Sequence, residues 1–430
     1  MAERLTIFLN HELLGTVTLQ GRDDRYHLEY APSWLASRGY PISPHLQPGV
    51  CQSEQVKRFL ANLLPEGKWL DELSLDHQIS KSNIFGLIAL LGAETTGALS
   101  FLYDGEKGLK WPTEFRPVSR EELTKRIACR REISIARWDG KPRLSVTGVQ
   151  DKLPILIRPD GVMGFGEGEL ASTHILKFGR RQDMHMVVNE FLCMELARLA
   201  GLSVAQVSLQ RFGEPVLVVD RFDRRRHRAQ VERLHLIDGC QMLDLPPTYK
   251  YERPFGKSGE GARIRTGASL PQLFAACRRC RIPARAIRDL LQWTFFQLLI
   301  DNSDAHAKNL SFFVGKRGID MAPCYDLLNI GIYDEFDRDL AMAIGDEFVS
   351  EEILPYQLAE FCDACRLPQR QVAATLKSLC TAVRVGLDKL VPDVGLHEDE
   401  QAFARKLLAR IRMNVERFQA LAEELPRVTL

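Results

Sequence analysis

No charge of one sign dominates this chain. It carries 57 Lys and Arg against 56 Asp and Glu over 430 residues, a formal net charge of +1. Neither a polybasic field for nucleic acid nor an acidic tail is there to argue from. Long hydrophobic runs are lacking as well. The most apolar early stretch, Ile84 to Leu91, is broken by Gly86 and followed by Gly92 and Glu94, far short of the roughly 20 residues that cross a bilayer. The opening Met-Ala-Glu-Arg-Leu-Thr-Ile-Phe-Leu-Asn has no basic n-region leading into an apolar h-region, so no secretory leader is expected. These absences predict a cytoplasmic protein with no membrane role. Internal repeats and low-complexity tracts are missing too. Cysteine is sparse, ten residues with two CxxC pairs, Cys277/Cys280 and Cys362/Cys365. Zinc ribbons separate such pairs by about 15–20 residues. Here the pairs are far apart in helical-looking sequence, where the spacing puts two small apolar side chains on one face, and core packing in a reducing compartment is the expectation.

What is present is a globular composition, 45% hydrophobic and 26% charged, in a chain long enough for two or three packed units. Three segments are expected, 1–110, 111–252 and 253–430. In the first, Leu5 to Leu9 and Leu14 to Leu19 alternate as a hairpin around Asn10-His11, Tyr26 to Tyr30 reads as a strand, and Ser53 to Leu64 and Ile84 to Leu91 read as helices. A linker with Trp111, Pro112 and Pro117 leads to a charged helix near Arg120 to Arg131. In the second segment Arg143-Leu-Ser-Val, Lys152 to Ile157, Thr173 to Phe178 and Pro215 to Phe222 read as short strands, with one helix, Met186 to Leu199, closed by Gly201. Arg253 to Gly267, rich in Gly, Arg and Ser, reads as a mobile loop. Beyond it the pattern is helical nearly to the end, with Leu290 to Ile300 apolar enough to be buried. The predicted class is α+β.

The strongest chemical signal is Asp301-Asn-Ser-Asp-Ala-His-Ala-Lys-Asn-Leu-Ser-Phe-Phe-Val314, where an apolar helix gives way to a polar loop and then a strand. Asp304 and Asn309 stand five residues apart. Phosphoryl transfer needs a carboxylate to accept the hydroxyl proton and a neutral oxygen to hold magnesium, and protein kinases place an Asp and an Asn at that spacing. Asp and Asn are also ordinary turn formers. Downstream, Pro323-Cys-Tyr-Asp326 puts a second carboxylate after a short strand, where it can chelate a phosphate-bound metal. Ser145-Val-Thr-Gly-Val-Gln-Asp-Lys152 joins two strand-like runs. Its turn at Gly148 either exposes backbone N–H groups to phosphate oxygens or is a plain hairpin, and it lacks the glycine count and ending of a Walker loop. Lys177 sits among apolar strand residues and needs an anion or water. Glu190 on the following helix is a candidate partner, and an edge-strand lysine facing solvent is the competing reading. Val218-Val-Asp-Arg-Phe-Asp223 ends a β-branched strand where a hinge could offer backbone groups to adenine. Phosphate loop, strand lysine, helix glutamate, hinge, catalytic Asp, metal Asn and metal Asp follow one another in the order of a kinase fold, which strengthens each.

The motifs Leu144-Ser-Val-Thr-Gly-Val-Gln-Asp-Lys152, Thr173-His-Ile-Leu-Lys177, Asn189-Glu190, Asp220-Arg-Phe-Asp-Arg224, Cys240-Gln241, Lys250-Tyr-Glu252, Asp304-Ala-His-Ala-Lys-Asn309 and Pro323-Cys-Tyr-Asp326 resemble the HipA family. So do Tyr30-Ala-Pro-Ser-Trp-Leu-Ala-Ser37, Pro41-Ile-Ser, Asn62-Leu-Leu-Pro65 and Leu91-Gly-Ala-Glu-Thr-Thr-Gly-Ala-Leu-Ser100 nearer the start. The resemblance implies a two-lobed protein-kinase-like fold: an extra N-terminal α/β subdomain, a mostly β ATP-binding lobe and an all-α C-lobe. It implies ATP and Mg2+ as cofactors, Asp304 as the catalytic carboxylate, and Asn309 and Asp326 as metal ligands. ATP contacts are implied for Thr147, Gly148, Val149, Gln150, Asp151, Lys152, Lys177, Asp220, Arg221, Phe222, His306, Lys308 and Tyr325. Glu190 is implied as the lysine-pairing acid and Ser145 as an autophosphorylation site. There, about two added charges in a phosphate loop would repel ATP. The implied biology is a serine/threonine kinase toxin acting on a translation-related protein, an aminoacyl-tRNA synthetase. It is neutralised by a HipB-like helix-turn-helix antitoxin through which DNA is reached indirectly. A kinase-like co-repressor subunit with little activity and a small-molecule phosphotransferase are the alternatives. Two departures stand out. The hinge acid is Asp220 where the family suggests Glu, and Gly345-Asp-Glu-Phe-Val-Ser-Glu-Glu352 is acidic where a lysine-bearing, DNA-facing stretch is expected.

Overall fold

In the computed structural model the described residues are 2–21, 24–37, 39–92, 95, 97–103, 113–135, 137–143, 151–168, 170–179, 184–227, 230–390 and 395–430. They fall into two compact units. The first comprises Met1–Phe178, Gln210–Ile237 and Phe313–Gly318, and the second comprises Gly179–Leu209, Asp238–Phe312 and Ile319–Leu430. The units are therefore interleaved along the sequence rather than consecutive segments.

Among the described residues the first unit holds two short strand pairs, Arg137–Trp138 with Lys141–Pro142 and Arg224–Arg226 with Val231–Arg233, and two larger sheets. In one, Ala2–Leu9 pairs antiparallel with Glu12–Gln20 on one side and Leu99–Tyr103 on the other, and Glu12–Gln20 pairs in turn with Arg25–Tyr30. The turn between the first two strands places Asn10 at φ 53, the left-handed region that Asn tolerates better than most residues. The alternating pattern in this hairpin buries Leu5, Ile7, Leu14 and Val17 on one face. Helices Ser53–Ala61 and Ile84–Leu91 occupy the expected places. In the other sheet the strands run in the order Val207–Arg211, Pro215–Asp220, His174–Phe178, Lys152–Ile157, Met163–Gly166, Phe115–Pro117. Leu153, Ile155, Leu176, Phe178, Val216 and Val218 point into one core with Trp138 and Phe165. The hinge strand stops at Asp220 rather than Phe222. Of the expected strand over Arg143-Leu-Ser-Val, all but Arg143 lies outside the described residues, and a short strand Lys141–Pro142 precedes it.

The second unit is mainly helical. Pro283–Leu299 buries Trp293, Phe295 and Phe296, and Phe361 of the helix Pro355–Ala364 meets both Phe274 and Phe295 at ring-centre distances of 5.7 and 6.0 Å. The helix Met186–Leu199, read from sequence with the β-rich segment, clusters here instead and packs on Gln369–Lys389 and Glu398–Glu424. Ten of its fourteen residues are buried, so a one-sided sheet covering would not satisfy it. The expected all-α C-terminal part carries a hairpin too, Asp339–Ile344 with Glu347–Val349. Ala and Met in Asp-Leu-Ala-Met-Ala-Ile favour helix. The tight turn at Gly345, φ 64, and the burial of Leu340 through Ile344 override that preference.

The loop Arg253 to Gly267 is pinned to this hairpin. Arg253 pairs with Asp339 at 2.7 Å, Lys257 with Asp337 at 2.8 Å, and Arg265 with both Glu252 and Asp346 at 2.5 Å. Arg253 lies 3.7 Å from the Phe348 ring centre. Glu252 is buried and accepts the Ala343 N–H at 2.8 Å. All four CxxC thiols are buried at the ends of the helices Leu270–Cys277 and Pro355–Ala364. Burial pushes the Cys362 thiol up to about 12, the protonated, packed state expected of core cysteines. Among the described residues no helix is long and apolar enough to cross a membrane.

Candidate active site

The loop that carries Asp304 is built by the end of a buried helix. Pro283–Leu299 stops where Asp301 turns to φ 58. The Asp301 carboxylate binds Arg410 at 2.7 Å, and its carbonyl accepts the N–H groups of Ile330 and Gly331. A Cβ on Gly331 would stand 1.9 Å from the Asp301 carboxylate, so only glycine fits there. Asn302, buried, donates to Gln297 and accepts the Asp304 N–H at 3.2 Å. Ser303 donates to the Asp337 carbonyl and accepts from Ala341. Ala307 donates to the Lys250 carbonyl, and a Cβ on Gly239 would meet the Ala307 oxygen at 2.4 Å. The loop is thus fixed on four sides before its functional groups are considered.

Within it, the Asp304 carbonyl accepts the His306 N–H at 2.8 Å and the Asn309 side-chain amide at 3.0 Å. That second bond uses the amide nitrogen of buried Asn309 and leaves its oxygen as the atom to ligate a cation. The Asp304 carboxylate is exposed and accepts the Tyr251 hydroxyl at 2.7 Å, and the Tyr251 ring stands edge-on to His306 at 5.1 Å. Tyr325 donates to the Lys308 carbonyl and shares a 2.8 Å bond with Ser311. This ties the segment holding Asp326 to the residue before Asn309. Asp326 itself has φ 60, an unfavourable backbone for a non-glycine residue and of the kind that collects at functional sites. The Asp326 carboxylate and the Asn309 amide oxygen are the hard donor types that could hold Mg2+, which takes few protein ligands and completes its shell with water and phosphate. We expect Asp326→Asn to weaken Mg-ATP binding roughly tenfold or more, read by calorimetry.

In the first unit, Lys177 is buried and lies directly opposite Lys152 on the neighbouring antiparallel strand. Asp220 pairs with His174 at 2.8 Å, and that hydrogen bond holds its carboxyl below the usual range. Its side chain is therefore engaged within the sheet. Phe222 stacks edge-on against Phe313 at 5.9 Å. Arg221 was expected at the nucleotide. Its guanidinium binds Asp223 at 2.9 and 3.0 Å and Ser172 at 3.1 Å, and its N–H donates to the Thr173 carbonyl. Lys308 likewise pairs with Asp238, the N-cap of the helix Gly239–Leu243, and its side chain is only 4% exposed. Asp151, Lys152, Lys177, Asp220, Arg221 and Phe222 belong to the first unit. Glu190, Asp304, His306, Lys308, Asn309, Tyr325 and Asp326 belong to the second. Ser145, Thr147, Gly148, Val149 and Gln150 lie outside the described residues.

Sequence reasoning passed over Tyr251. Its only signal was the Lys250-Tyr-Glu252 motif, 53 positions from the carboxylate it touches. A Tyr251→Phe chain is expected to lose roughly tenfold in kcat with KM for ATP unchanged, since one hydrogen bond to a charged group goes and nothing else does.

Comparison with known proteins shows the family of the chain. The HipA N-terminal domain pattern matches residues 5–102, and the HipA-like C-terminal domain pattern matches residues 144–386. The serine/threonine-protein kinase toxin HipA of Shewanella oneidensis is 38% identical over 426 residues, 98% of this chain and 97% of that protein. The chain belongs to the HipA family. A second relative of this HipA-family kinase, Y4mE of Sinorhizobium fredii, described as a kinase, is 31% identical over 81% of this chain and 82% of its own length. Among solved structures, the Shewanella oneidensis HipA in complex with HipB and its operator DNA superposes with a TM-score of 0.89. It covers 99% of this chain and 100% of that one at 38% identity. The α+β, kinase-like HipA fold and the assignment as a serine/threonine protein kinase follow.

Proposed function

We propose that this HipA-family kinase uses Mg-ATP to phosphorylate serine or threonine on a translation-related protein, an aminoacyl-tRNA synthetase, as the toxin of a HipBA-type pair. One observation carries the chemistry: Asp304 presents an exposed carboxylate while its own carbonyl orients Asn309. Proton acceptor and metal ligand thereby share one rigid loop.

In this reading Asp304, held by Tyr251, accepts the proton of the substrate hydroxyl. Asn309 and Asp326 would hold the metal by their oxygens, and Lys177 and Lys152 would bind phosphate oxygens. ATP with its Mg2+ supplies the phosphoryl group and neutralises its charge. Ser145 is the proposed autophosphorylation site. The partner is a HipB-like helix-turn-helix antitoxin, and the chain reaches DNA through it. The acidic segment 345–352 supports indirect contact, because Asp346 is spent on Arg265 and no lysine lies there. The proposed compartment is the cytoplasm.

The test is incubation with labelled ATP and cell lysate. A few labelled proteins, one of them a synthetase, are expected, and label confined to small molecules would overturn the reading. In cells, expression of the active chain is expected to arrest growth, with rescue by a neighbouring helix-turn-helix gene. Healthy growth with active kinase present would remove the toxin role.

A further inference from the structure

In the second unit the segment that follows Asp326 is gripped by a single amide. Asn189, on the helix Met186–Leu199, and Asn329, three residues beyond Asp326, are both fully buried. The Asn189 Oδ1 accepts the Asn329 N–H at 2.9 Å. Its Nδ2 donates to the Asn329 carbonyl at 2.8 Å and to the Tyr333 hydroxyl at 3.0 Å. The Cys193 thiol donates to the same Oδ1 at 3.5 Å. An amide has two donors and two lone pairs, so this one is used to capacity. Asn is a poor helix former and a polar group costly to bury. Here it closes the Asn329 backbone as a neighbouring strand would, from 140 positions away. Asp326 lies between this grip and a second one. Upstream, the Cys324 N–H donates to the Ser203 carbonyl at 2.8 Å and its carbonyl accepts the Ala205 N–H at 2.9 Å. The Tyr325 hydroxyl is bonded to the Lys308 carbonyl. A residue at φ 60 keeps that conformation only where its surroundings over-determine it.

We propose that Asn189 is a positioning residue for the metal ligand: it keeps Asp326 in its strained conformation by fixing the backbone three residues on. The proposal rests on the reading of Asp326 as a metal ligand given above. The Asp304 loop has its own supports. Arg410 holds Asp301, Gln297 holds Asn302, and the Lys250 carbonyl accepts the Ala307 N–H. Loss of Asn189 therefore falls on the cation and spares the proton acceptor. The side chain's chemistry is specific. Leu is close in size but neither donates nor accepts, and Ser is too short to span both backbone groups of Asn329.

The test is Mn2+ binding to the full chain saturated with a non-hydrolysable ATP analogue, followed by electron paramagnetic resonance. Asn189→Leu is expected to raise the Mn2+ concentration at half-saturation roughly 10-fold, the low end for residues that support a metal ligand. Asn189→Ser, a milder change that carries the test if circular dichroism shows Asn189→Leu unfolded, is expected to raise it less. In phosphate-transfer assays both variants should need more Mg2+, and kcat at saturating Mg2+ should return close to the parent value. Tyr333→Phe removes one bond from the same amide and none from Asn329, so it should bind Mn2+ as the parent does. Parent affinity in the Asn189 variants, with Asp326→Asn weakened, would overturn the positioning role and leave the metal reading standing. An equal loss in Tyr333→Phe, or a kcat deficit that excess Mg2+ does not recover, would show general loosening of the fold and overturn it too. Unchanged Mn2+ affinity in Asp326→Asn would remove the metal reading and this proposal with it.

Discussion

An Asp304→Ala chain is expected to transfer phosphate roughly 10²- to 10⁴-fold more slowly than the parent, the usual contribution of a positioned general base. It should fold normally. The loop around Asp304 is held by backbone groups and by neighbours. Its N–H goes to Asn302, its carbonyl to His306 and Asn309, and Asp301 is anchored by Arg410. The carboxylate itself is exposed and bonds the Tyr251 hydroxyl, so its removal takes away a group used in the transition state and little of the scaffold. The loss should therefore appear in kcat with KM for ATP near its parent value. Initial rates with labelled ATP, alongside circular dichroism, separate the outcomes. Parent activity in the variant would show that another group accepts the proton, and an unfolded variant would show that the carboxylate is structural. Tyr251→Phe sharpens the result, because its smaller loss should vanish once Asp304 is gone.

What could be read in advance was whatever is local in sequence. The helices Ile84–Leu91 and Met186–Leu199 and the strand Lys152–Ile157 carry their periodicity and their turn residues within a few positions. The Asp304–Asn309 spacing was legible for the same reason: one short loop holds both residues, and the bond from Asn309 to the Asp304 carbonyl spans five positions. What stayed hidden depends on charges far apart in the chain. Arg253 to Gly267 has the composition of a free loop, yet Arg253 pairs with Asp339 across 86 positions and Arg265 with Asp346 across 81. The hairpin that supplies those acids was itself obscured by helix-favouring Ala and Met. Arg221 was read by its position beside the hinge strand, while its guanidinium found a carboxylate two residues on. Position along a strand says where a backbone group goes. It does not say which of several carboxylates an arginine will choose.

That arginine belongs to the buried triad Arg221–Asp223–Arg224, and cutting it should damage the fold more than any surface change. The side chains are 4%, 7% and 2% exposed, and Asp223 meets Arg221 at 2.9 Å and Arg224 at 2.7 Å. Arg221 and Arg224 reach on to Ser172 Oγ and carbonyl, so the triad staples the end of the hinge strand to the segment before the strand of Lys177. Asp223→Ala leaves two guanidiniums buried without their carboxylate. The expected loss is about 3–5 kcal/mol, read by urea unfolding of the whole chain through tryptophan fluorescence. Arg225→Gln, which breaks the exposed pair with Glu232, should cost under about 1 kcal/mol. A pH series tests the same triad without mutation. Burial opposes ionisation of Asp223, but the two guanidiniums outweigh it and hold the carboxyl well below its ordinary 3.8. A depressed folded value means that the stabilisation is fully present above 3.8 and is lost as pH falls toward the folded value. The parent should therefore lose stability steeply below about pH 4, and Asp223→Asn, already destabilised at neutral pH, should show a shallower fall over that window. Equal slopes in the two chains would mean that the acid sensitivity lies in other carboxylates and that the triad contributes little.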